Sequence, residues 1–222
     1  GSQIMTIKRP YRLEYDRLKK LELDYEHHVK FIDECKKHNL IPLTTAFSRR
    51  SISELKKLSM DTIKVASYDC SSYPLIEELS KFFSHLIIST GATHKDEVKK
   101  TAKMLSELKV KFTFLHCTTI YPTPLEKINL ERMNWLKTYT NSIGFSDHTL
   151  VKKDGIIAAL VAIKMGAKYI ERHFTILKPE ETKDGPVSIF PNHIEELVMF
   201  SKLSDMDKNH YLNEKYPEWK VV

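Results

Sequence analysis

From residue 40 onward the chain alternates short runs of apolar, β-branched and aromatic residues with longer stretches whose apolar positions recur every three or four residues. The short runs "LIPLTTAF" (40–47), "TIKVASYD" (62–69), "HLIISTG" (85–91), "KFTFLHCT" (111–118), "SIGFSDHT" (142–149) and "YIERHFTI" (169–176) read as strands. Between them "SISELKKLSM", "PLIEELSKFFS", "THKDEVKKTAKMLSELK", "NLERMNWLKTY" and "DGIIAALVAIKMGA" read as helices. Thr93, with Asp96 and Glu97 behind it, marks a helix start with acids in the first turn, and Gly166 marks a stop before the sixth strand. Ahead of residue 40 the pattern is helical and irregular, with "YEHHVKFIDECKKHN" the best helix.

Strands and amphipathic helices in alternation predict βα units around a parallel sheet. Polar residues gather at the same end of each run: Thr44, Thr45 and Ser48; Ser67 and Asp69; Ser89 and Thr90; His116, Thr118, Thr119 and Tyr121; Ser146, Asp147 and His148; Glu171, His173 and Thr175. A (β/α)8 barrel carries its working groups at the C-terminal ends of all its strands. A doubly wound sheet concentrates them at one switch point, and no Gly-x-Gly-x-x-Gly follows any strand here. The expected fold is α/β, a TIM (β/α)8-type barrel, incomplete at about six recognisable βα units, because a whole barrel runs to about 250 residues. Two units are expected to be missing ahead of residue 5. No internal linker interrupts the pattern, so 1–222 reads as a single catalytic barrel domain, with residues 1–4 a tag or linker.

The remaining composition narrows the partners. Of 222 residues, 41% are hydrophobic and 10% aromatic, which is ordinary for a globular chain. Thirty-five Lys and Arg against 29 Asp and Glu give +6. The basic residues are scattered over helical segments and lack a base-stacking aromatic pattern, so they read as a solvated surface and not a nucleic-acid interface. No apolar run approaches a membrane span and no secretory pattern opens the chain, which points to no membrane partner and a cytoplasmic location. Cys35, Cys70 and Cys117 are odd in number and form no CxxC, as expected of reduced thiols.

The candidate chemistry sits at the strand ends. Side chains alternate faces along a strand, so Ser146 and His148 share one face and Glu171 and His173 share another. Two imidazoles meeting from neighbouring strands suit a divalent metal with open positions; singly, each reads as a structural hydrogen-bonding residue. Lys64 lies inside an apolar strand, either as an ammonium facing an anion within the barrel or as an edge lysine snorkelling outward. Thr45, Ser67, Ser89 and Ser146 could donate to the same anion. Strict alternation places Lys64 and Ser67 on opposite faces, so the strand must bend or end between them. Tyr121, on the proline-rich "IYPTP" loop, is either a substrate contact or a packing aromatic.

At these residues the sequence resembles the sialic acid synthase family, which comprises N-acetylneuraminate synthase with its legionaminic, pseudaminic and spore-coat polysaccharide relatives. "TTAFS", "IKVASYD", "IISTGAT", "LHCTTIYPTP", "GFSDHT" and "ERHFT" stand in family order and at family-like spacing, and residues ahead of 40 fit the family's preceding helix. The resemblance implies a (β/α)8 barrel, followed in most members by an antifreeze-like domain that is not expected here after "YPEWKVV". It implies condensation of phosphoenolpyruvate with an N-acetylated amino sugar, N-acetylmannosamine or a related diacetamido hexose, to a nonulosonic acid with release of phosphate. It implies a divalent metal, typically Mn2+, on His148 and His173, and leaves a homodimer open, since the family's usual dimer depends partly on the antifreeze-like domain. Thr45, Lys64, Ser67, Ser89, Ser146 and Tyr121 correspond to phosphoenolpyruvate contacts, Thr119 to a sugar contact, and Asp69 to the group that transfers a proton or orients a hydroxyl. Two positions depart from the family. Thr119 stands where Asn is common, and Val187 stands where an acid usually follows Gly-Pro, with Asp184 the nearest substitute. Those departures keep a non-catalytic fragment or divergent binding module open, and another phosphoenolpyruvate-dependent keto-sugar acid synthase as well.

Overall fold

Strands in this chain pair in the order in which they are written. The computed structural model describes residues 11–217 and 219–221, and the expected tag or linker at 1–4 lies outside them. Contacts divide the chain after Pro42 into two compact units.

The first unit carries α1 (Tyr11–Lys19) and α2 (Tyr25–Lys37). Helix α2 starts where the Asp24 carboxylate accepts the His27 backbone N–H at 2.9 Å, which satisfies one of the free donors of the first turn. Its Ile32 is buried.

The second unit holds six parallel strands: β1 (Thr45–Ala46), β2 (Thr62–Val65), β3 (His85–Ser89), β4 (Lys111–Cys117), β5 (Ile143–Asp147) and β6 (Tyr169–Arg172). They lie in one sheet in the order β1-β2-β3-β4-β5-β6, without the reversal that creates a switch point in a doubly wound sheet. The helices are α3 (Ile52–Leu55), α4 (Tyr73–Leu79), α5 (Lys95–Glu107), α6 (Arg132–Leu136), α7 (Val151–Asp154), α8 (Ile157–Lys164), α9 (Pro191–Ser201) and α10 (Asp205–Lys215). Helix α5 begins one residue later than Thr93 suggested. His94 is its N-cap, and the Glu97 carboxylate reaches back to the His94 N–H at 2.8 Å. The helix expected over 154–167 is the shorter α8, which starts only at Ile157 because Gly155 turns the chain with φ +58 and closes the short α7 ahead of it.

The sheet is curled. Lys64 on β2 and Glu171 on β6 approach to 3.4 Å although three strands intervene. Four inter-strand steps in a flat sheet would separate those strands by roughly 19 Å. The six strands thus form an open arc of a barrel, as the polar strand ends predicted. One face of the arc is apolar: Ile63, Val65, Leu86, Ile88, Phe114 and Phe145 pack in one cluster with Leu75, Leu79, Val98, Leu105, Met133 and Leu136 of the surrounding helices. Helix α8 is apolar all round, as a helix buried on several sides must be, and residues 157–162 are all buried. Alternate residues turn the other way, into the barrel.

His116 is a correction to the strand-end pattern. It faces the helical layer, bonds the Ile128 carbonyl through Nε2 at 2.6 Å and stacks on Phe145. Its place in the strand gives it the parity of Phe114, so it takes a core role.

Gly144 is where the Leu115 side chain and residue Tyr169 crowd a strand. A Cβ there would come within 2.6 Å of a Leu115 methyl and 2.4 Å of the Tyr169 carbonyl oxygen. The carbonyl cannot yield without disturbing the β5–β6 ladder. Gly144→Ala is therefore expected to cost about 2 kcal/mol of unfolding free energy in a urea titration. An unchanged midpoint would show that the strands can part there freely.

Candidate functional site

The inward side chains at the C-terminal ends of the strands converge on one mouth. A cleft of about 350 Å3 is lined by Lys64, Ser67, Ser89, Cys117, Thr119, Tyr121, Ser146, His148 and Glu171, among others. A smaller one of about 230 Å3 shares Lys64, His148 and Glu171 and adds Thr45 and His173. The structure thus brings together nine of the ten candidates: Thr45, Lys64, Ser67, Ser89, Thr119, Tyr121, Ser146, His148 and His173. Asp69 lines neither cleft. It closes a 3-10 turn after β2, and its carboxyl is raised by burial.

Lys64 is 6% exposed and points inward, which settles its two readings against the outward one. Its ammonium donates to Ser89 Oγ at 2.8 Å and to the Val65 carbonyl at 3.1 Å, and faces the Glu171 carboxylate at 3.4 Å. Ser146 donates to the other Glu171 oxygen at 2.6 Å. Strand β2 ends at Val65 and the chain enters a 3-10 turn at Ser67, so Ser67 returns to the same cleft as Lys64 despite its opposite parity. A cation held out of bulk water in a cleft that also presents the Ser67, Ser89 and Ser146 hydroxyls is chemically suited to an anion.

Beside it stand the histidines. The His148 and His173 rings lie 5.6 Å apart between centroids. Tyr121 packs on both, at 5.0 Å and 5.7 Å. Its hydroxyl meets His173 Nε2 at 3.0 Å and donates to Asp184 Oδ1 at 3.0 Å. Burial, with the neighbouring His173, lowers the His148 pKa, which keeps that imidazole neutral and its lone pair available. Burial and the Asp184 carboxylate push the Tyr121 phenol up, so it remains protonated and a donor.

This donor set suits a divalent cation. Two imidazoles come from the ends of adjacent strands, with the Glu171 and Asp184 carboxylates close enough to order water around an ion. Among the described residues no group of three or more His, Cys, Asp or Glu forms a ready-made cage. Protein ligation would therefore rest on the two imidazoles and leave other positions open.

Sequence reasoning undervalued three members of this site. Glu171 was legible, two residues before His173 and so on its face, but its ion pair with Lys64 spans the barrel and leaves no local trace. Cys117 lies with its sulfur 3.9 Å from His148 Nδ1, a thiol raised by burial. Val187 is 1% exposed in the core, while Asp184 reaches Tyr121 and comes within 3.8 Å of His173 Nδ1.

A parallel open barrel, with a buried lysine among hydroxyls next to an imidazole pair at its C-terminal mouth, defines a (β/α)-barrel protein whose mouth is chemically suited to an anion beside a divalent ion. Within that class the chain belongs to the NeuB family, whose sequence model matches residues 4–208. It is 33% identical over 202 residues to the N,N'-diacetyllegionaminic acid synthase of Campylobacter jejuni, covering 86% of this chain and 59% of that enzyme. Its fold matches the spore coat polysaccharide biosynthesis protein of Bacillus subtilis with a TM-score of 0.74 at 26% identity, over 87% of this chain and 53% of that one. It also matches the N-acetylneuraminic acid synthetase of Leptospira borgpetersenii, solved with citrate, with a TM-score of 0.77 at 23% identity, over 90% of this chain and 74% of that one. The chain spans about half to three-fifths of the length of the curated relatives it matches. No helix among the described residues is long and apolar enough to cross a membrane.

Proposed function

We propose that this chain carries the reaction centre of a cytoplasmic sialic-acid-type synthase, which joins phosphoenolpyruvate to an N-acetylated amino sugar, releases phosphate and forms a nonulosonic acid for a bacterial surface polysaccharide. The observation that carries the reading is Lys64, buried in the barrel mouth, bonded to Ser89 and a short step from the histidine pair. Lys64, with the Ser67, Ser89 and Ser146 hydroxyls, holds the phosphate and carboxylate of phosphoenolpyruvate and aims its enol carbon at the histidines. Thr45 and Tyr121 close the sides, and Thr119 stands at the exposed rim where the sugar enters. The reaction needs one proton placed on the sugar's aldehyde oxygen and one removed from the attacking water. Glu171 lines both clefts together with the Lys64 ammonium and His148 and is suited to that exchange, whereas Asp69 lines neither. A divalent ion on His148 and His173, Mn2+ in this reading, would supply Lewis-acid polarisation of the aldehyde.

The test is phosphate release from phosphoenolpyruvate across N-acetylmannosamine and diacetamido-dideoxy hexoses, with Mn2+ and with a chelator. Release that requires one of these sugars and disappears with the chelator is the expected result. Val187, buried where the family has an acid, favours a second reading as a binding module on the same barrel. Saturable phosphoenolpyruvate binding without turnover would favour that second reading. Absence of phosphoenolpyruvate binding would overturn both.

A further inference from the structure

One residue before each histidine stands a charged side chain that the chemistry above does not use. Asp147 precedes His148 and Arg172 precedes His173, and the two are register partners in the β5–β6 ladder. Alternation sends their side chains to the opposite face from the imidazoles. There Arg172 Nη1 meets Asp147 Oδ1 at 2.6 Å, with the two side chains 2% and 0% exposed.

The same pair grips the chain just beyond His148. Asp147 Oδ1 also accepts the Thr149 backbone N–H at 2.9 Å. Arg172 donates to Thr149 Oγ1 at 2.9 Å and to the Thr149 carbonyl at 3.5 Å. His148 is thus held on both sides, at 147 and at 149, by the guanidinium of the residue just before His173. The pair is an expensive way to fill a core. Asp147 Oδ2 and Arg172 Nε are buried without a hydrogen-bond partner. Apolar residues of similar volume often stabilise a fold as well as or better than a buried ion pair does. A pair so incompletely satisfied does little for stability that apolar residues could not do, but it fixes one strand end against the other.

We propose that Asp147, Arg172 and Thr149 form a positioning clamp that sets the separation of His148 and His173 and thereby the affinity of the site for a divalent ion. The inference rests on the metal reading of the histidine pair. It predicts that the clamp governs ion binding while the anion pocket, hung on β2 and β3 through Lys64 and Ser89, is spared.

The experiment measures Mn2+ binding to the protein by electron paramagnetic resonance, with Mn2+ alone as the probe. Melting temperature and phosphoenolpyruvate affinity are followed in parallel. The double variant Asp147→Leu/Arg172→Met replaces both charges with apolar groups. It is expected to keep its melting temperature and its phosphoenolpyruvate affinity and to bind Mn2+ about 10–100-fold more weakly, as loss of groups that orient metal ligands does. Thr149→Val keeps the ion pair and removes one of its grips, with a smaller loss expected. His148→Ala is the reference. If it loses Mn2+ binding while the folded double variant binds like wild type, the clamp is overturned and the metal reading stands. If His148→Ala itself binds Mn2+ like wild type, the metal reading fails and the clamp with it. Should the double variant not fold, wild-type affinity in Thr149→Val overturns the clamp.

Discussion

Lys64→Met is expected to weaken phosphoenolpyruvate binding by at least about thirtyfold, in line with the 2–5 kcal/mol commonly lost when one member of a buried, hydrogen-bonded charge pair is truncated. The size follows from the surroundings. Lys64 is 6% exposed, so its charge acts with little screening, and it is the ammonium that balances Glu171 in the cleft. Methionine matches the stem in length and apolar character, so the strand and its packing should survive. What changes is the sign of the field, because Glu171 is left with Ser146 alone and repels the incoming carboxylate and phosphate. Lys64→Arg should not restore binding. A planar fork needs room that a closely held, buried ammonium does not have. Isothermal titration with phosphoenolpyruvate reads the effect directly, and an affinity within threefold of wild type would place the anion site elsewhere.

Acid should loosen this fold before most carboxylates titrate, and His116 is the largest identifiable cause. Burial lowers its pKa from 6.5 to about 4. Between those values the unfolded chain takes up a proton that the folded chain refuses, so stability falls as the pH falls. The contribution is absent above pH 6.5, reaches about 2 kcal/mol by pH 5 and levels off at about 3 kcal/mol below pH 4. His116→Gln keeps an N–H for the Ile128 carbonyl and cannot titrate. Urea unfolding at pH 7.5 and pH 5 should show a smaller loss in the variant than in wild type. His85 and His148 are also lowered by burial, so the variant retains part of the slope. Equal losses in the two proteins would mean that His116 is open to water.

Much of this architecture was legible because a parallel barrel writes its layers into the local pattern. Each strand announces itself by β-branched and aromatic residues, and covering the sheet with helices leaves the polar residues only the strand ends. The six runs correspond to the six strands, although every run was read too long. The run at 40–47 reduces to Thr45–Ala46 and that at 169–176 to Tyr169–Arg172. The reason is shared composition, because the hydroxyl-rich loops that shape the mouth are as β-like in residue type as the strands. Parity likewise foretold the His148–His173 pair and the bend needed between Lys64 and Ser67. Contacts across the barrel were not legible, since period-two alternation says which face a residue takes but not what waits opposite. Glu171 against Lys64 and the grip of Arg172 on Thr149 depend on curvature and on neighbouring strand ends.

The consecutive strand order also bears on how the chain assembles. Each strand docks on the one made just before it, so the apolar layer can grow by short loop closures, step by step along the chain, as local topologies do quickly. The cleft at the barrel mouth has the opposite logic. Lys64 is in place once the second strand is laid down, yet its acidic partner arrives only with the sixth. A growing or partly folded chain can therefore hold a sound core and a half-built cavity, with an unneutralised ammonium at its centre. The cleft is therefore completed only by the sixth strand, and fraying of that strand would be the first way to open it.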